Sequence, residues 1–149
     1  MPAPEQQQKA AEQPPEKART TYEDVGPGYV AGNLTEDPTM RFTPEGRPLV
    51  KCRVAETPRV KNADTGEWED GKPSFHDVII WGDMAGRVVE NLVRGDRVIA
   101  HGQWQRQWWQ DDQGNERHKT VLTARDIGPS MLFRHVKVSR TDRKAGQQL

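Results

Sequence analysis

Between Phe75 and Trp109, large flat rings recur among cations and amides, a combination suited to holding unpaired nucleic acid. Every base has a π-face whatever its identity, so aromatic side chains can stack on bases without reading sequence while lysine and arginine neutralise the phosphates. Phe75 and Trp81 bracket the run Phe75-His76-Asp77-Val78-Ile79-Ile80-Trp81, and Trp104, Trp108 and Trp109 fall in a second run beside Arg106 and several glutamines. Alternation along a strand puts Phe75, Asp77, Ile79 and Trp81 on one face and Val78 and Ile80 on the other. Stacking on bases is the reading for Trp81 and Trp109, with packing between subunits as the alternative. Trp104 has the parity of Val98 and Ala100 and is expected in the core. Trp108 shares that parity unless a bulge intervenes, and its role stays open, as does that of Trp68. Lys51, Arg53, Arg59, Lys61, Arg106 and Lys119 are expected to follow the phosphate backbone on the aromatic face, although any one of them alone could simply be solvated. With about five phosphates neutralised at about −0.7 each, log affinity would fall against log salt with a slope near −3.5.

These side chains need strands to hold them. Tyr29 to Leu34 is a short apolar run closed by Asp37-Pro38, and Leu49 to Ala55 alternates Val50, Cys52 and Val54 against Lys51 and Arg53. Pro58 to Pro73 is rich in Pro, Gly, Asn, Asp and Lys and reads as a long loop. Phe75 to Trp81 is the third strand. A short helix follows, with Asp83 as N-cap, Ala85, Val88, Val89 and Leu92 as its apolar stripe and Gly95 as its stop. Arg97 to Trp109 and Arg117 to Ile127 then form a hairpin around Asp111-Asp112-Gln113-Gly114. Three strands, one helix and two strands is the order of the all-β, five-stranded OB-fold barrel, in which the helix between strands 3 and 4 plugs one end.

The chain has 149 residues, enough for one domain plus tails, and its 22 Lys+Arg balance 22 Asp+Glu, so binding to a polyanion must come from a local patch. The expected division is a disordered extension over 1–24, the barrel over 25–132 and a flexible basic tail over 133–149. A single cysteine, Cys52, between Val50 and Val54, excludes an intramolecular disulfide and a cysteine-based metal cluster and reads as a buried thiol. No apolar run reaches the roughly 20 residues that span a bilayer, so no membrane partner is expected and a cytoplasmic, nucleoid-associated protein is.

The residues also resemble the bacterial single-stranded DNA-binding proteins. The resemblance is carried by Gly32-Asn33-Leu34, Asp37-Pro38, Arg41-Phe42-Thr43-Pro44-Glu45-Gly46, Ala55 to Arg59, Thr65-Gly66-Glu67-Trp68, Ile80-Trp81-Gly82, Arg94-Gly95-Asp96-Arg97-Val98 and Ile127-Gly128-Pro129-Ser130. Together they cover roughly Tyr29 to Leu132, and Thr57-Pro58-Arg59 and Gly128-Pro129-Ser130 look actinobacterial. The resemblance implies base-stacking aromatics at Phe75, Trp81 and Trp109, a homotetramer that wraps single-stranded DNA in replication, recombination and repair, and no catalysis or cofactor. The family's stacking aromatic in the long loop aligns near Val60 here.

Three departures stand out. The chain ends Arg143-Lys144-Ala145-Gly146-Gln147-Gln148-Leu149 instead of in an acidic tip, so recruitment of partner enzymes by that route is not expected. Gly26-Pro27-Gly28 is expected to interrupt the first strand, with consequences for oligomerisation. Asp77 falls on the face where the family tends to carry a base. With the long N-terminal tail, these features fit a divergent paralogue. Two other classes stay in view, an OB module devoted to protein contacts and an RNA binder. An enzyme is disfavoured, since His76-Asp77 is the only adjacent His/acid pair and His101 and His118 are scattered on strands.

Overall fold

The computed structural model describes residues 21–140. The expected extension up to residue 20, and Arg143 and Lys144 of the basic tail, lie outside the described residues. Among the described residues, eight strands and one helix run in the order β1 (Thr21–Leu34), β2 (Met40–Phe42), β3 (Pro48–Glu56), β4 (Arg59–Lys61), β5 (Trp68–Asp70), β6 (Ser74–Trp81), α1 (Asp83–Asn91), β7 (Arg97–Gln110) and β8 (Glu116–Pro129). Five long strands are hydrogen-bonded in the order β1-β7-β8-β6-β3, and β3 returns to β1 at Asn33↔Ala55 and Leu34↔Val54, which closes the ring. The β6–β8 step is parallel and the others are antiparallel. This is the connectivity of the OB fold.

Alternation builds the core. Val30 and Leu34, Val50, Cys52 and Val54, Val78 and Ile80, Val98 and Ala100, and Leu122 and Ala124 all point inward, and α1 adds Ala85, Val88 and Leu92. Each buried Val, Leu or Ile side chain contributes about 1.5–3 kcal/mol relative to leaving it in water. Burial also raises the pKa of the Cys52 thiol to about 11, so it is protonated at neutral pH and behaves as a small apolar side chain. Val89, expected on the apolar stripe, is exposed. The inward positions follow Ala85, Val88 and Leu92, three and four residues apart, and Val89 is rotated one position off that line. The N-cap is Gly82, at φ 72°, and Asp83 is the first helical residue. Its carboxylate there meets the positive end of the helix dipole.

The first strand is not interrupted. β1 runs through Gly26-Pro27-Gly28 and pairs with β7 from Thr21↔Trp108 to Asn33↔Arg97, with one irregularity between Asp24 and Gly26 that leaves Val25 as the extra residue. Gly26, at φ 138°, supplies the conformation that this bulge requires. The space above Gly28 is filled by the Trp104 indole, since a Cβ built there would lie 1.8 Å from Nε1. Proline is tolerated because β1 pairs with β3 only at its C-terminal end, leaving its second edge without a ladder over this stretch. Thr21 to Asp24, expected within the disordered extension, therefore belong to the sheet.

The expected long loop is also structured: β4 and β5 form a hairpin, with Arg59↔Asp70, Val60↔Glu69 and Lys61↔Trp68 as partners. Its turn is held by Asn62, whose Oδ1 accepts the amides of Asp64 at 2.8 Å and Thr65 at 3.2 Å. The β7–β8 turn is anchored on Asp111, which accepts the amides of Gln113 and Asn115 and the Arg117 Nε at 3.0 Å. The hydrogen bond from Arg117 is the first cause holding its carboxyl below the usual range. Phe133 to Arg140 has no regular structure. Arg134 there meets Asp96 at 3.5 Å. Among the described residues no helix is long and apolar enough to cross a membrane.

Candidate nucleic-acid interface

The outward positions of β3, β6, β7 and β8 form one continuous surface. Across it, Leu49 lies opposite Trp81, Lys51 opposite Ile79, Arg53 opposite Asp77 and Ala55 opposite Phe75. Beyond β6, Asp77 is level with Val121 of β8, and Lys119 and Arg117 lie opposite Gln107 and Trp109 of β7. Phe75, Trp81, Trp109, Lys51, Arg53 and Lys119 thus share one side of the ring, contributed by four strands.

Each of the three rings carries a cation over its face. The Arg47 guanidinium is 4.3 Å from the Trp81 ring, Arg53 is 4.8 Å from Phe75, and the Lys119 ammonium is 5.9 Å from Trp109. At exposed sites such contacts contribute about 0.5–1 kcal/mol each, enough to orient a ring without locking it. Phe75 is 51% exposed, while Trp81 and Trp109 are half-buried. Arg47 was not among the sequence candidates. Its signal lay in period-two continuation, because Arg53, Lys51, Leu49 and Arg47 share parity back into the turn where the Arg47 amide bonds Thr43 Oγ1 at 3.0 Å.

Asp77 sits between two of the cations. Its Oδ2 is 3.3 Å from Lys119 Nζ and 3.8 Å from Lys51 Nζ. Burial, then the neighbouring Lys119, lowers the Lys51 pKa, with Asp77 acting in the opposite direction. The carboxylate thus draws the two ammonium groups together instead of standing bare on the face.

Arg106 requires correction. It shares the parity of Trp104 and Trp108 and lies on the other side of β7 from Trp109, since residues three apart on a strand point oppositely. There it meets Glu23 at 3.4 Å and the Trp108 ring at 5.9 Å. Trp108 packs against His118 in a tilted contact with centroids 4.6 Å apart, and its Nε1 donates to Glu23 Oε2 at 3.4 Å. Trp104 packs against the core, with the His76 ring 5.8 Å away. Arg59 and Lys61 are on the β4–β5 hairpin, away from the ring's strands. Arg59 braces that hairpin through Asp70 at 2.7 Å and the Trp68 carbonyl at 3.0 Å, whereas Lys61 lies directly opposite the exposed Trp68.

A closed OB ring with aromatics and cations gathered on one outer face is the architecture of a single-strand nucleic-acid binder. Residues 28–130 match the model of the single-strand binding protein family. The chain is 38% identical over 117 residues to the single-stranded DNA-binding protein of Mycobacterium tuberculosis, covering 78% of this chain and 71% of that protein. It is 39% identical over 114 residues to that of Mycolicibacterium smegmatis, covering 76% and 69%. Its fold is similar to the crystal structure of the small single-stranded DNA-binding protein from Streptomyces coelicolor, at TM-score 0.59 and 25% identity over 73% of this chain and 96% of that one. The chain belongs to the single-strand binding protein family.

Proposed function

We propose that this protein binds and protects single-stranded DNA without sequence preference, in replication, recombination and repair, by stacking bases on Phe75, Trp81 and Trp109. The observation that carries the reading is the cation seated over each of those rings. A base arriving on a ring displaces the cation sideways, where it meets the phosphate beside that base, so neutral and charged parts of the strand are met by adjacent side chains. Arg47, Lys51, Arg53 and Lys119 supply the phosphate contacts of the main face, and Trp68 with Lys61 extends them from the hairpin. No step is catalytic. The working form is a cytoplasmic homo-oligomer, a tetramer by family relation, and the exposed Tyr29 and Ile99 on the outer side of β1 and β7 suit contacts between copies. A monomeric mass by light scattering would remove that part.

The reading is tested by titrating one length of oligo-dT and one of mixed sequence at several salt concentrations. Affinities are expected within a few-fold of each other, falling with log salt at about −0.7 per phosphate contact, near −3 for four contacts. A flat salt response, or strong preference for one sequence, would remove the phosphate-and-stacking account.

Asp77→Asn follows from the same geometry. Removing the carboxylate leaves Lys51 and Lys119 free to meet phosphates, and half-exposed charges of this kind are worth about 0.2–1 kcal/mol. Affinity is expected to rise about two- to fivefold at low salt and the gain to shrink as salt screens it. Weaker binding would mean that Asp77 instead holds the lysines in their productive positions.

A further inference from the structure

We infer that the start of β1, which precedes the family match at residue 28, adds a subsite for one more unpaired base, with Tyr22 as its stacking ring. This rests on the reading of the main face as a DNA surface. Tyr22 lies directly opposite Gln107, with Asp24 opposite Gln105. Directly opposed residues share a face, and the side-chain bonds agree. Asp24 Oδ1 accepts from Gln105 Nε2 at 2.9 Å, while Glu23 Oε2 takes Arg106 and Trp108 on the other side. Tyr22 is therefore on the side of Trp109, which is its diagonal neighbour two residues along β7.

The bulge at Val25 makes this so. Past Gly26 the even residues of β1 point inward, Gly28 opposite Gly102 and Val30 opposite Ala100. Without the extra residue, Tyr22 would continue that inward parity. With it, every side chain N-terminal of the bulge changes face. The row that results, Tyr22–Gln107–Lys119, crosses three strands and has a ring on one flank and a cation on the other. Tyr22 is 55% exposed although its partner Gln107 is buried, so its ring is presented to solvent over a filled surface. The adjacent Asp24 carboxylate repels a phosphate. The subsite is accordingly suited to a base and not to the backbone.

The test compares full-length protein with Tyr22→Ala and Tyr22→Phe in anisotropy titrations with labelled oligo-dT, with thermal melting and light scattering alongside. Tyr22→Ala is expected to weaken binding about five- to 100-fold, and Tyr22→Phe to stay within about twofold of the parent. If the parent binds and Tyr22→Ala binds equally well, the subsite is wrong while the main face stands. Equal loss in Tyr22→Phe would assign the effect to the hydroxyl, and a changed oligomeric mass in Tyr22→Ala would place the ring between copies; either overturns the subsite. A parent that does not bind oligo-dT removes the main reading itself.

Discussion

Replacing Trp81 and Trp109 together by alanine is expected to lower affinity for oligo-dT by roughly 30-fold to more than 10,000-fold, since each base–aromatic stack is worth about 1–3 kcal/mol. The two rings are on different strands, at the end of β6 and near the end of β7. They are outside the buried core cluster, so the double variant is expected to keep a cooperative melt. Their cations, Arg47 and Lys119, remain. What is lost is the apolar part of binding, so the residual affinity is expected to keep the parent's log–log salt slope while lying lower at every salt concentration. Anisotropy titration of the parent, the two single variants and the double variant measures this. Unchanged affinity in the double variant would place both rings at a subunit contact.

The largest expected effect on stability is at Gly102. β8 bulges at Arg125, where the β7–β8 register shifts between His101 and Gly102, and the two backbones close on the glycine. A Cβ at Gly102 would lie 2.0 Å from the Thr123 carbonyl oxygen and 2.8 Å from the Arg125 amide nitrogen. Both are backbone atoms in a ladder and cannot swing away as a side-chain tip would. Gly102→Ala must therefore open the β7–β8 pairing locally, at a cost of about 1–3 kcal/mol or more. At about 4 °C per kcal/mol for a domain a little over 100 residues long, melting should fall by about 4–12 °C, as read by circular dichroism. A melting temperature within about 2 °C of the parent would show that the strands separate there without penalty.

Much of the fold was legible because its signals are local. Val50, Cys52 and Val54, and Val78 and Ile80, announce their strands by period-two alternation, and Ala85, Val88 and Leu92 announce the helix. The start of β1 was not legible, because Thr21 to Asp24 have no apolar alternation and are held by pairing with β7, some eighty residues away in sequence. The β4–β5 hairpin was hidden in a composition that favours turns, its strands being only three residues each. On the site, Phe75, Trp81, Lys51 and Arg53 could be placed from parity within their own strands. The opposite side of Arg106 was equally readable from its three-residue separation from Trp109. The Asp77 brace was not, since Lys119 reaches it only through the parallel β6–β8 pairing, whose register no local pattern sets.

Tryptophan fluorescence during titration with oligo-dT, against duplex of the same length at two salt concentrations, reports whether the rings of this face stack on unpaired bases. Strong quenching by oligo-dT that weakens with salt, with little response to duplex, is the predicted result. No quenching by oligo-dT, or equal quenching by duplex, would contradict it and leave the aromatic face to a protein contact.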